Sequence, residues 1–238
     1  MKAALYYSLV TALLVNGNPA QGAEHLQSDG IHSSKKVVVE SPSVFPELAM
    51  QNAEALYLHA RGDGRTFLIV EGLGGKNLSI LDVSNPAHIR EISRASISAT
   101  APFDVVESLN DRVLLIRYRN ESGLAMLNFS KRDRPLITQL ASSTGAGPVQ
   151  IVNDRGEPLL SKAQATALPE TRARDYQIVD TSSPLEPQVV ASVPGVKQTV
   201  LKSDTGTLFL LAPSGVTVIR HPGVERDYEA SLHQTAGN

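Results

Sequence analysis

A strand–turn–strand motif that occurs in four copies is the feature that most constrains the fold of this chain. The motif is clearest at 78–97, LSILDVSNPAHIREISRASI, and returns at 124–142, at 176–193 and, in weaker form, at 216–232. Each copy combines a short strand of alternating apolar residues, a polar turn that usually contains proline, and a second strand. Recurrence at a nearly fixed period predicts a repeat architecture.

The residues upstream of each copy complete the repeating unit. They contain two further apolar segments, and the Asp, Asn and Gly residues between these segments indicate β-hairpins. The copies begin at Leu78, Leu124, Tyr176 and Val216, so that they are separated by 46, 52 and 40 residues. This spacing is typical of a four-stranded propeller blade. In the first unit, strands are predicted at 54–60, 67–71, 78–82 and 89–93.

We therefore predict an all-β fold, a β-propeller of about four four-stranded blades. A β-sandwich or an open array of blades is the alternative, because it also consists of short strands with frequent turns. No segment after residue 22 shows sustained helical periodicity. The propeller domain is expected over 54–238, with units at about 54–97, 98–143, 144–195 and 196–235.

Three segments carry a resemblance to a known family: GGKNLSILDVSNPAHIREIS (74–93), ESGLAMLNFSKRDRPLITQL (121–140) and DYQIVDTSSPLEPQVVAS (175–192). They resemble the LVIVD repeats of exported or surface proteins of bacteria and archaea. The family pattern runs roughly Gly-Leu, then Ile-Asp-Val-Ser-x-Pro, then a strand. The resemblance covers about 50–235 and weakens along the chain, since the fourth unit has IRHPGV in place of the core. It implies a β-propeller and no particular activity.

The aspartates of the repeat motif have a structural explanation. Asp82 and Asp180 stand at predicted strand ends, where a carboxylate can accept hydrogen bonds from nearby backbone N–H groups. Ser84, Asn85 and Pro86 then supply the turn, because proline restricts φ to a value suited to it. We predict that both aspartates cap turns and are not catalytic acids.

The N-terminus has the pattern of a secretory signal peptide. Lys2 is followed by an apolar run from Ala3 to Val15, and small residues at 20 and 22 predict cleavage before Ala23, or otherwise before Glu24. A short buried strand or a membrane anchor is less well supported, because such a run is shorter than the roughly 20 residues that span a bilayer. Residues 1–22 are thus predicted to be a signal peptide, and the protein to be periplasmic, secreted or at the cell surface.

The segment 23–53 lies outside the four units but contains a strand-like stretch. VVVESPSV at 37–44 is similar to the outer strand of the third unit and could pair with the fourth unit to close the ring. The segment RDYEASLHQ at 226–234 would then be displaced or would form a fifth strand. If the ring stays open, a homodimer that pairs through the open edge is the alternative.

Composition excludes several classes of function. The chain has no cysteine, which rules out a disulfide scaffold, thiolate catalysis and Cys-ligated metal. A net charge of −2 indicates no basic surface that would attract nucleic acid. No later segment is long enough to span a membrane. The six histidines are scattered and no Gly-x-Ser-x-Gly elbow occurs, so we predict no catalytic residues, no metal site and no cofactor.

Two groups of residues are candidates for binding. Superposing the units places Glu54, Asp104, Gln150 and Gln198 at the start of the innermost strands, where they could form a ring at one mouth of the channel. The alternative is that these residues satisfy backbone groups or face water. Arg172 and Arg174, in the long loop at 161–175, are candidate partner contacts, although the loop could simply be mobile.

A third segment, RGDGR at 61–65, contains an adhesion-like RGD tripeptide. Asp-Gly is also a preferred hairpin turn, so we predict a turn here and assign it no binding role.

Two functions fit these observations. The first is a non-enzymatic binding or scaffolding module for a protein, glycan or small ligand. The second is a small periplasmic propeller enzyme, a hydrolase or lyase, with a channel-mouth metal held by Glu54 and Asp104. We prefer the binding module, because two of the four ring positions are Gln and offer little charge for a divalent ion.

Overall fold

The computed structural model describes residues 13–14, 30–34, 36–44, 52–119, 123–131, 134–140, 173–183 and 185–236. These residues form open antiparallel β-sheets, so the predicted all-β fold is confirmed. The chain divides into two compact units. The central unit spans Asn52–Thr171, and the terminal unit combines Met1–Gln51 with Arg172–Asn238.

The first sheet of the central unit contains the clearest copy of the repeat. Its strands pair in chain order as an antiparallel meander. They are β4 (Ala53–Ala60), β5 (Thr66–Gly72), β6 (Asn77–Asp82) and β7 (Arg90–Ser96). All four predicted strands of this unit are confirmed to within a few residues at each end.

The second sheet of the central unit repeats this arrangement. Its strands, again paired in chain order, are β8 (Phe103–Asn110), β9 (Val113–Tyr118), β10 (Leu124–Asn128) and β11 (Leu136–Gln139). Phe67 and Ile80 of the first sheet share one buried cluster with Leu114, Ile116 and Tyr118 of the second. Each such side chain contributes about 1.5–3 kcal/mol when it is fully buried. Apolar packing thus joins the two sheets.

The third sheet lies in the terminal unit and is described only in part. It consists of β1 (Leu13–Leu14), β12 (Arg174–Asp180) and β13 (Gln188–Val196). The first two strands that we predict for the third unit fall within 144–172, outside the described residues. Because β1 belongs to the predicted signal peptide, only an unprocessed chain could pair it with β12.

The fourth sheet combines strands from both ends of the chain. Its order is β14 (Gln198–Lys202), β15 (Thr207–Ala212), β16 (Gly215–Arg220), β3 (Val38–Glu40) and β2 (Ile31–Ser33). The pairing of β3 with β16 is antiparallel. It adds the N-terminal strand to the fourth unit, as the sequence predicted. The arrangement of the four sheets into a propeller stays a prediction.

The C-terminal segment is a helix, so of our two alternatives for 226–234 the fifth strand was wrong and the segment is displaced from the sheet. Helix α1 spans Pro222–Ala236. Pro222 is tolerated in the first turn of a helix, and β3 already occupies the edge of β16 where an outer strand would pair. Arg220, which replaces the motif aspartate, instead binds Glu225 of the helix, with Nη2 to Oε2 at 2.7 Å. In the described part of the chain, no helix has the length and apolar character needed to cross a membrane.

Candidate functional site

The repeat position at the end of the third strand is a turn cap in three units. The side chains of Asp82, Asn128 and Asp180 each accept a hydrogen bond from the backbone N–H two residues later, at 3.0, 2.9 and 2.8 Å. Burial opposes ionisation of Asp82, but hydrogen bonds from Ser84 and Arg90 outweigh it and lower the pKa of Asp82. The predicted capping role of Asp82 and Asp180 is confirmed.

Two of the predicted channel-mouth residues contact the same arginine. Glu54 and Asp104 are the second residues of β4 and β8, and Arg119 directly follows β9. Arg119 Nη1 is 3.1 Å from Glu54 Oε2, while Nε and Nη2 donate to Asp104 Oδ1 at 3.0 and 2.9 Å. A guanidinium therefore stands between the two carboxylates.

Glu71, at the end of β5, completes what we call the Arg119 cluster (Glu54, Glu71, Asp104 and Arg119). Arg119 Nη2 lies 3.3 Å from Glu71 Oε2, and the Glu71 side chain is only 3% exposed. Its other oxygen, Oε1, is buried and has no hydrogen-bond partner within the described ranges. Burial raises the pKa of Glu71 to about 7, against the opposing effect of Arg119. Glu71 therefore exchanges a proton near neutral pH.

The Arg119 cluster is suited to holding strands together through ion pairs. The second oxygen of Glu54 accepts a hydrogen bond from the Gly74 backbone N–H at 2.8 Å, so both of its oxygens are used. A metal ion on Glu54 and Asp104 would have to displace Arg119. Among the described residues, no group of three or more metal-ligating side chains is arranged to hold a metal ion.

The other predicted site residues lie outside the described residues or in the terminal unit. Gln150 and Arg172 lie outside the described residues. Gln198 is the first residue of β14, and Arg174 is the exposed first residue of β12, both in the terminal unit.

Sequence reasoning missed Glu71 and Arg119, although a signal for both was present. Each follows the apolar run of the second strand in its unit, in FLIVE and VLLIRYR. Aligning the second strands by their pairing with the third places Glu71, opposite Leu78, at the position of Arg117, opposite Leu124, so this signal marks a charged strand end and locates Arg119 only to within two residues.

A pocket lies at the other end of the same strands. In the first sheet, Ala53 pairs with Gly72 near the Arg119 cluster, whereas Ala60 pairs with Thr66 at the opposite end. There, the β4–β5 and β8–β9 hairpins border a pocket of about 200 Å³. We call it the arginine pocket; it is lined by Arg61, Arg65, Phe67, Ile80, Asp111, Arg112, Phe129 and Ser130.

Local hydrogen bonds fix the loop that carries two of these arginines. Arg61 N donates to Arg65 O at 2.8 Å, and Gly64 adopts a φ of 80°, which favours glycine. The predicted hairpin turn at 61–65 is confirmed. Gly62 N also donates to Asp111 Oδ1 at 3.0 Å, which ties the first hairpin to the second.

Ion pairs and contacts with an aromatic ring hold the guanidinium groups of Arg61 and Arg65 in place. Asp63 Oδ2 lies 2.6 Å from Arg65 Nη2 and 3.1 Å from Arg61 Nη2. The central carbons of both guanidinium groups lie over the buried ring of Phe67, at 5.5 and 5.7 Å from its centroid. Cation–π contacts of this kind restrict the side chains further.

Comparison with known protein families, with curated proteins and with solved structures finds no match to this chain. Function is therefore inferred from the side chains of the Arg119 cluster and of the arginine pocket. The resemblance to LVIVD repeats, carried by residues such as Asp82 and Pro86, stays a prediction.

Proposed function

We propose that this chain is an exported, non-enzymatic β-propeller of the LVIVD-repeat type that acts as a binding or scaffolding module for a protein, glycan or small ligand. The arginine pocket is the observation that carries this proposal. It is concave, the hairpin loops of two sheets border it, and loops held by sheets in this way commonly carry recognition. The four antiparallel sheets, derived largely from successive repeat units, support the propeller.

The Arg119 cluster favours a binding module over the alternative metal-dependent hydrolase or lyase. Glu54 and Asp104, the ligands that this alternative requires, are both engaged by Arg119 at 3.1 Å or less. A cation brought between them would meet the positive guanidinium at close range. The cluster is better suited to holding the two sheets together than to activating water.

Export is proposed from the signal-like segment 1–22. The charge at Lys2, the apolar run and the small residues before Ala23 support it. The absence of cysteine is compatible with an oxidising compartment, since no thiol is left to react.

The test is to express the full chain in a Gram-negative host and to analyse the protein recovered from the periplasm. We expect a mass that corresponds to cleavage before Ala23, no stoichiometric metal, and saturable binding to at least one member of a panel of glycans and small anionic metabolites. Light scattering on the same sample separates a monomer, expected for a closed ring, from a homodimer that pairs through an open edge.

The metal analysis includes a matched pair of variants. Stoichiometric metal that is retained by a Glu91→Gln control and lost in the Glu54→Gln/Asp104→Asn variant would contradict the binding module and favour the enzyme. Glu91 is a suitable control because it pairs with the exposed Arg94, outside the Arg119 cluster.

A further inference from the structure

We propose that the arginine pocket binds a small oxyanion: a phosphate, sulfate or carboxylate group of the ligand that this module recognises. The inference deepens the proposed binding function and rests on it, because it names the chemical class of the ligand. Three observations lead to it: the balance of charge, an unsatisfied donor and the size of the pocket.

The pocket has more positive than negative charge available. Its lining contains three arginines and one aspartate, Asp111. Outside the lining, Asp63 is shared by Arg61 and Arg65, and Asp82, which also acts on Arg65, is paired with Arg90. In the described part of the chain, no carboxylate lies within 4.0 Å of the Arg112 guanidinium, the threshold for an ion pair. Arg112 is exposed at the tip of the β8–β9 hairpin and is held from its backbone, where its N–H donates to Asn110 Oδ1 at 2.9 Å. An anion would give Arg112 a partner.

Arg61 carries a donor that the described residues leave unsatisfied. Its Nε atom is buried and makes no hydrogen bond within the described ranges. Asp111 Oδ2 is 4.0 Å away, which is too far for a hydrogen bond. Because buried polar groups are nearly always paired, an unpaired donor in the wall of a pocket indicates a missing oxygen acceptor. The oxygen of a bound anion would supply it.

The dimensions and rigidity of the pocket suit a single charged group. Its volume of about 200 Å³ is below the roughly 300–1,000 Å³ typical of sites for drug-sized ligands. Guanidinium groups present a planar fork of donors that matches the oxygens of carboxylate and phosphate. Asp63 and the ring of Phe67 hold the guanidinium groups of Arg61 and Arg65 in place, so little conformational entropy is lost when an anion binds.

Calorimetric titration of the full chain with inorganic phosphate, sulfate and acetate, in chloride buffer at low ionic strength, tests the proposal. We expect saturable binding of one anion per chain for at least one of the three. Preference for phosphate or sulfate would indicate a tetrahedral group on the natural ligand, and preference for acetate a carboxylate.

Arg112→Gln is the decisive variant, because Arg112 is exposed and its replacement leaves the packing intact. We expect it to weaken anion binding about tenfold or more, the effect of losing one hydrogen bond to a charged group. Arg94→Gln is the matched control: Arg94 is also exposed and in the central unit, but it pairs with Glu91 outside the pocket. We expect this control to bind as the wild type does.

Two results would overturn the proposal. One is that the folded wild type binds none of the three anions at millimolar concentration. The other is that Arg112→Gln and Arg94→Gln lower the affinity equally, which would indicate a general effect of net charge. If a ligand from the panel still binds to Arg112→Gln with wild-type affinity, the oxyanion site fails while the binding function stands.

Discussion

At the scale of single residues, the most consequential side chain is Arg119, because one guanidinium serves three carboxylates. Glu54 and Asp104 are partly exposed and could be solvated without it, but Glu71 is buried. Without Arg119, three acidic groups would share one small volume, and among the described residues no other cation acts on Glu71.

Arg119→Met tests this role. We expect the free energy of unfolding to fall by roughly 2–3 kcal/mol, less than for a fully buried pair because Arg119 is 29% and Glu54 is 32% exposed. Urea denaturation measures the loss. Arg94→Met removes an exposed arginine with a single partner and should cost less than about 0.5 kcal/mol. Similar small losses in both variants would show that the cluster contributes little.

Glu71→Gln tests the protonation of the cluster. The pKa of Glu71 is raised from 4.5 to about 7, so between these pH values the folded protein holds a proton that the unfolded chain has released. The free energy of unfolding should therefore fall as pH rises through this window, by at most about 3 kcal/mol, and then level off. The variant lacks this proton and should gain stability relative to the wild type between pH 4.5 and 8. Parallel pH profiles for the two proteins would contradict the raised pKa.

The sequence was sufficient to place some of these residues and not others. Glu54 and Asp104 were predicted to be neighbours because equivalent positions in adjacent repeats lie close together. Arg119 and Arg112 were not singled out, since their partners are brought to them by the packing of two sheets. Arg61 and Arg65 were correctly predicted to lie in a turn, but the second hairpin that makes this turn one wall of a pocket lies some 50 residues further along the chain.

At the scale of structural elements, the three units with a capped turn continue as a strand, and the fourth, which lacks the cap, continues as a helix. In the first unit, the bonds from Ser84 to Asp82 reverse the chain through a short 3₁₀ helix, Pro86–His88, into β7. In the fourth unit Arg220 occupies the equivalent position and cannot accept hydrogen bonds, and the chain continues into helix α1. The helix was missed from sequence because its stability depends on contacts with the sheet, such as Arg220 with Glu225.

Asp82→Ala and Asp82→Asn form a matched pair for this turn. Alanine removes the acceptor for Ser84 N and Ser84 Oγ, and we expect it to lower the free energy of unfolding by about 1–2 kcal/mol. Asparagine keeps an acceptor oxygen, as Asn128 does in the second unit, and should cost clearly less. Thermal unfolding compares the two, and an equal loss would mean that the charge of Asp82, not its hydrogen bonds, stabilises the turn.

At the scale of the whole molecule, the fourth sheet depends on the N-terminal segment. The buried Val37 and Val39 pack into the apolar cluster of the terminal unit, and Glu40 binds Arg220 at 2.8 Å. The segment therefore contributes both core and edge pairing. Its pairing with the fourth unit could be predicted because 37–44 is similar to an outer strand elsewhere in the chain.

Two truncations separate the predicted signal peptide from this structural segment. A chain that begins at Ala23 should unfold at the temperature of the full chain, since, of the part of the chain that the structure describes, it loses only the two-residue strand β1. A chain that begins at Val44 leaves β16 as an exposed edge and should melt lower and self-associate. Scanning calorimetry and light scattering measure both effects. Equal melting temperatures would show that β2 and β3 are dispensable.

The pairing of β3 with β16 also constrains the order in which the chain can fold during synthesis. Glu40 and Arg220 are 180 residues apart, so the fourth sheet cannot be completed until nearly all of the polypeptide has emerged. The central unit, in contrast, has its partners within one continuous stretch. In a nascent chain, β2 and β3 can pair with each other early, but β3 gains its second partner, β16, only at the end. For the export that we propose, this delay would be useful, because a chain that has not closed its last sheet is still able to thread through a translocation channel.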